Sequence, residues 1–218
     1  MTLNIKYIIN KFMGSITRFD IQSYKDRYNL TYFIETGTLY GDSVAHAAQF
    51  DFEKIFSFEV YKPLYEKSKE RFINDQRIVI LNEDSGKGIE NLNTQVKGNA
   101  LFFLDAHFPG ADAGYTQYNE EKNNDTKMPL LNELKGILNR ASEYKDVIII
   151  DDYRIFEVDH RIQYADVDGH LKSIGKGDIK RTDLVHFNLM EFLQSTFSEY
   201  FNIDLDFRDE GYVVLTHR

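Results

Sequence analysis

The chain has no cysteine among its 218 residues. Disulfides, thiolate catalysis and cysteine-ligated zinc are therefore excluded, and a cytoplasmic setting is expected. Basic charge is also short: 26 Lys and Arg stand against 35 Asp and Glu, a formal charge of −9. A general nucleic-acid binder normally shows a basic face, so no nucleic-acid partner is expected. Long apolar runs are missing as well. The opening stretch, 1–13, is broken by Asn4, Lys6, Asn10 and Lys11. It lacks the continuous core of a signal peptide, and no later run is long enough to span a bilayer. The expectation is an amphipathic helical lead-in within residues 1–30, packed on its own domain or on a second copy of the chain.

What is present suffices for a core. Hydrophobic residues are 42% and aromatics 14%, which argues against global disorder, and the length suits one domain, 1–218, carrying insertions. Five short apolar runs read as strands: Thr31 to Glu35, Lys54 to Glu59, Arg77 to Leu81, Ala100 to Asp105 and Asp146 to Ile150. Helical patterns separate them: Asp42 to Phe50, one through Phe72 with Pro63 in its first turn, one through Ile89, Leu92 and Val96, and Pro129 to Ala141. Leu184 to Tyr200 predicts a last helix, and Phe201 to His217 a hairpin turning at Arg208 to Gly211. Alternation of strand and helix implies a parallel sheet covered on both faces. The expected fold is α/β, a Rossmann-like doubly wound, mostly parallel seven-stranded sheet with a C-terminal antiparallel hairpin. Two polar stretches, about 106–127 and 153–182, read as insertions forming an acceptor site or lid.

In such a sheet, ligands bind at the carboxyl ends of the strands. Those ends carry acids here: Glu35, Glu59, Asp84, Asp105, and the pair Asp151 and Asp152. One such acid is commonplace, because acids favour helix starts; acids at five consecutive strand ends suggest a site. After Glu35 comes Thr36-Gly37-Thr38-Leu39-Tyr40-Gly41-Asp42-Ser43. The dinucleotide fingerprint GxGxxG needs a middle glycine for close pyrophosphate approach, and Leu39 stands there.

The run Glu-Thr-Gly-Thr-x-x-Gly-Asp-Ser resembles the first motif of class I S-adenosylmethionine-dependent methyltransferases, and the terminal hairpin is similar to theirs. The resemblance covers Thr31 to the C-terminus. It implies S-adenosylmethionine as cofactor, bound by Glu35, Thr36, Gly37, Gly41, Asp42 and Ser43, with Glu59 on the ribose hydroxyls and Asp84 and Ser85 beside the adenine. Leu104-Asp105-Ala106-His107 and Ile150-Asp151-Asp152-Tyr153 further resemble the metal-dependent sugar O-methyltransferases of the macrocin O-methyltransferase type. That implies Mg2+ or another divalent cation on Asp105, Asp151 and Asp152, and a sugar, nucleotide-sugar or other small-molecule acceptor. The chain departs from that group at Ala106-His107, where Gly-Asp is usual.

His107, with Asp105, is the expected catalytic pair, because imidazole titrates near neutrality and can take a hydroxyl proton. Arg154 and Arg161 are candidates to hold an anionic acceptor. His160 and His170 are weaker candidates for acceptor or metal contacts. Phe108, Tyr115 and Tyr118 could line an acceptor wall. Two other readings stand beside the methyltransferase. One is a nucleotide-dependent oxidoreductase or nucleotide-sugar enzyme on a related fold. The other is a non-catalytic S-adenosylmethionine-binding protein.

Overall fold

Seven strands form one sheet in the order β3-β2-β1-β4-β5-β7-β6. The computed structural model describes residues 15–117, 120–157, 161 and 187–218. The strands are β1 (Tyr32–Thr36), β2 (Lys54–Phe58), β3 (Ile78–Leu81), β4 (Ala100–Leu104), β5 (Val147–Ile150), β6 (Phe201–Asp206) and β7 (Tyr212–His217). The first five run parallel, and β7 pairs antiparallel to β5 and β6. The expected fold class is observed.

Alternating side chains explain the layering, since successive strand residues point to opposite faces. Ile34, Phe102, Leu104, Ile148 and Ile150 enter one core cluster. Phe33, Leu101, Phe103, Val147 and Ile149 enter the other. Helices α4 (Ser85–Leu92), α6 (Leu130–Leu138) and α8 (Leu189–Thr196) contribute to the first cluster. Helices α1 (Ile21–Tyr28) and α2 (Asp42–Ala47) contribute to the second, and Tyr65 of α3 (Lys62–Arg71) packs against it.

The described part of the lead-in, residues 15–30, is held to the sheet of its own chain. Asp20 caps α1 by accepting the Ser23 N–H at 3.0 Å, and the Ser15 N–H donates to the Tyr212 hydroxyl at 2.9 Å. The expected helix before Ser15 lies outside the described residues. The last helix begins at Leu189, later than expected, because the Asn188 side chain accepts the Glu191 N–H and caps it there; residues 184–186 lie outside the described residues.

Both expected insertions contain structured parts. In the first, α5 (Asn124–Lys127) forms and Phe108 is buried in the core beside Ala111, so Phe108 is not an acceptor wall. In the second, Tyr153 to Phe156 form a buried helical turn, α7, because Ile155 and Phe156 are apolar enough to join the core. Tyr118, His160 and His170 lie outside the described residues. No helix among the described residues is long and apolar enough to cross a membrane.

Candidate functional site

The sheet reverses its strand order between β1 and β4. At such a switch point the loops after neighbouring strands diverge and leave a crevice. Strand registers bring the acids to one level: Thr36 aligns with Phe58 and Leu104, and Leu104 aligns with Ile150. Glu59, Asp105 and Asp151 are therefore the first residues past three aligned strand ends.

The glycine loop lies on one side of the crevice. Gly37 adopts φ +82°, and a Cβ there would stand 2.8 Å from the Asp105 carbonyl oxygen, so only glycine fits. Leu39 also takes a left-handed conformation, φ +50°. Two hydrogen bonds hold it: its N–H donates to Glu59 Oε2 at 2.9 Å, and the Ser68 hydroxyl donates to its carbonyl at 2.9 Å. Glu59 Oε1 accepts the Tyr61 N–H at 2.8 Å. Burial raises the Glu59 carboxyl above its ordinary range, and the two backbone bonds oppose that shift. Glu35 is buried beneath the loop. It accepts the Ser57 hydroxyl at 2.6 Å and a bond from Ser43, and burial pushes its carboxyl up to about 8. Asp42 points away from the crevice, its side chain 84% exposed and paired with Arg71 at 2.7 Å. Gly41 is in the left-handed region and packs against the Phe72 ring.

Across the crevice, Asp105, His107 and Asp152 offer ligand atoms that lie within 4.8 Å of one another. His107 Nε2 is 2.6 Å from Asp152 Oδ2, and Nδ1 is 3.5 Å from Asp112 Oδ2. Asp151 is not in that set. Its Oδ1 accepts the Asp152 N–H at 2.6 Å, a bond favoured by the left-handed backbone of Asp152. The trio that converges is thus Asp105, His107 and Asp152, in place of the expected Asp105, Asp151 and Asp152. Burial holds the Asp105 and Asp151 carboxyls well above the usual range. Repulsion adds to this, from Asp151 and Asp152 on Asp105 and from Asp152 on Asp151.

Arg154 does not serve an anionic acceptor: it is buried and ion-paired with Asp152 and Glu210. Arg161 stacks 3.9 Å from the Phe207 ring centroid. A small cleft opens among these groups, lined by the apolar Leu104, Leu130 and Phe156 and by Asp105, His107 and Asp152.

Glu133, unnoticed in the sequence, also lines this cleft. It accepts the Ser85 hydroxyl at 2.5 Å and bonds Thr36. Both hydroxyls expected to serve a cofactor are therefore turned toward it. Asp84 occupies the cap position of α4 but makes no side-chain cap bond. The signal for Glu133 was available: it stands three residues after Leu130, on the stripe that Leu134 and Ile137 continue.

No family model matches the chain, and no curated protein matches it. Solved structures do. The SAH-bound methyltransferase PaMTH1 of Podospora anserina is 15% identical, with a TM-score of 0.56 over 100% of this chain and 98% of its own. An O-methyltransferase of Bacillus cereus in complex with SAH is 13% identical, with a TM-score of 0.57 over 98% of this chain and 87% of its own. At this identity the likeness establishes the fold, a Rossmann-like methyltransferase fold with the C-terminal hairpin.

Proposed function

We propose that the chain transfers a methyl group from S-adenosylmethionine to a hydroxyl of a small polar acceptor. One observation carries the reading: Glu59, at the end of β2, faces the Gly37 loop in a fold shared with SAH-bound methyltransferases. Each Glu59 oxygen serves one backbone N–H and has a second acceptor site for a ribose hydroxyl. S-adenosylmethionine, when bound, supplies the electrophilic methyl.

The chain itself contributes positioning and proton handling. With Nε2–H donated to Asp152, His107 carries its lone pair on Nδ1 and can take the acceptor proton there. Asp152 and Asp112 then flank the resulting imidazolium. The described residues that line the cleft are carboxylates, His107 and apolar side chains, a lining that suits a neutral hydroxyl acceptor such as a sugar. A soluble small-molecule acceptor and a cytoplasmic site of action belong to the same proposal.

A second reading adds a divalent cation on Asp105, His107 and Asp152. Hard oxygen donors with one imidazole suit Mg2+ or Mn2+, and a cation would relieve the repulsion that raises Asp105. It would acidify a bound hydroxyl. The two readings compete for His107, whose single lone pair cannot both take the acceptor proton and ligate an ion.

Calorimetry with S-adenosylhomocysteine tests the cofactor. Binding to wild type and a loss of roughly 100-fold in Glu59→Ala are expected, since two charge-assisted bonds disappear. A folded wild type that binds nothing defeats the proposal. Activity that survives EDTA, together with a melting temperature unmoved by Mg2+ or Mn2+, removes the cation reading and leaves the transferase.

A further inference from the structure

Helix α6 buries Leu130, Leu134 and Ile137 against the core, and Glu133 lies on that stripe at 1% exposure. A lone carboxyl in such a place is costly unless hydrogen-bonded. Its partners come from two other parts of the chain. The Ser85 hydroxyl, from the first turn of α4, donates to Oε1. The Thr36 hydroxyl, from the last residue of β1, bonds it as well. Thr36 Oγ1 also accepts the backbone N–H of Asp105, just past β4, at 3.2 Å. One side chain on α6 thus reaches the segments that lead into the Gly37 loop, the Asp84–Ser85 turn and the Asp105 acid.

We propose that Glu133 is a positioning residue that sets the spacing of these three segments, and through them the geometry of cofactor binding. The functional half rests on the methyltransferase reading above. Burial, with Asp84 adding repulsion, holds its carboxyl up at about 8. The tie is therefore neutral at physiological pH and acquires a buried charge above that. The charged and titratable groups facing Glu133 are Asp84 from the β3–α4 turn and, across the cleft, Asp105, His107, Asp151 and Asp152. Glutamine copies the neutral acid in shape and cannot ionise. Glu35 titrates in the same range but is common to wild type and variant, so the difference between them reports Glu133.

The test measures S-adenosylhomocysteine affinity at pH 6.5 and pH 9, with thermal melts of the same proteins. Glu133→Gln is expected to bind within about twofold of wild type at pH 6.5 and more tightly than wild type at pH 9, where the wild-type side chain carries a buried charge beside Asp84. Glu133→Ala is expected to lose about tenfold at both. In the melts, Glu133→Ala and Ser85→Ala should be non-additive, because each removes the same bond. Wild-type affinity in Glu133→Ala, identical pH profiles for wild type and Glu133→Gln, or strictly additive melts would overturn the proposal. If Glu133→Ala does not fold, Glu133→Gln and Ser85→Ala decide it by the same two readouts. A wild type that binds no S-adenosylhomocysteine defeats the methyltransferase reading, and the melt cycle then decides the tie alone.

Discussion

The two ends of the β4–β5 pair carry buried acids under opposite conditions. At the amino ends, Asp146 is fully buried and fully matched. Arg140 Nε donates to it at 2.8 Å, and the Ala100 N–H does so at 2.8 Å. The same guanidinium donates to the Val96 and Gly98 carbonyls. At the carboxyl ends, Asp105, Asp151 and Asp152 face one another, with Arg154 engaged on Asp152 and Glu210. Stability alone explains the first arrangement. It does not explain the second, because carboxylates crowded together repel one another and lower stability. The difference supports the carboxyl ends as the candidate site more firmly than the presence of acids does.

The comparison breaks most visibly at its paired end. Arg140→Met should destabilise the protein by about 3–5 kcal/mol, since Asp146 would keep a buried charge with only the Ala100 N–H left on it and two carbonyls would lose their donor. A drop in melting temperature of roughly 10 °C at pH 7 is expected, with partial recovery in Arg140→Met/Asp146→Asn. A drop under about 2 °C would mean that Asp146 is solvated and the two ends are not different in kind.

Burial raises the carboxyls at both ends, but no guanidinium opposes it at Glu35, which offers the cleanest measurement. Its folded pKa is about 8 against an ordinary 4.5. Below pH 4.5 it is protonated in both states and carries no penalty. Between 4.5 and 8 the unfolded chain ionises while the folded one holds its proton, so stability falls as pH rises; above 8 the penalty is complete. Glu35→Gln removes that slope. The variant should be near wild type at pH 4 and more stable by up to about 4 kcal/mol at pH 8. A stability difference that does not change with pH would show that burial does not hold the Glu35 carboxyl above its ordinary range.

The sequence displayed the strands, their order of alternation and the acids at their ends, because buried parallel strands read as short apolar runs and strand ends are where those runs stop. It displayed the glycine loop for a similar reason: Gly37 is dictated locally, by a left-handed turn beside another backbone. What it did not display depends on which way a side chain turns. Asp151 and Asp152 are adjacent in sequence, yet the left-handed Asp152 backbone separates their roles and brings His107 into the trio. Arg154 resembles a surface cation until Glu210, distant in sequence, pairs with it. Glu133 stood on an apolar stripe in plain view. A charge there predicts burial, but its partners Thr36 and Ser85 come from β1 and α4 and follow only from the topology.

The smallest effect concerns Leu39, where the loop departs from the dinucleotide pattern. A leucine in the left-handed region costs about 1 kcal/mol, and here the Glu59 carboxylate and the Ser68 hydroxyl hold it in place. Leu39→Gly removes that strain but adds chain entropy of about 0.5–1 kcal/mol to the unfolded state, so its net effect should be within about 1 kcal/mol of zero. Leu39→Val keeps the strain and adds a branched Cβ, for which φ > 0 is an outlier; it should cost about 1–2 kcal/mol. The gap between these two variants measures the loop conformation without altering any acid. If valine proved as stable as glycine, the loop would be held some other way, and Glu59 would need its two backbone bonds for nothing but the site.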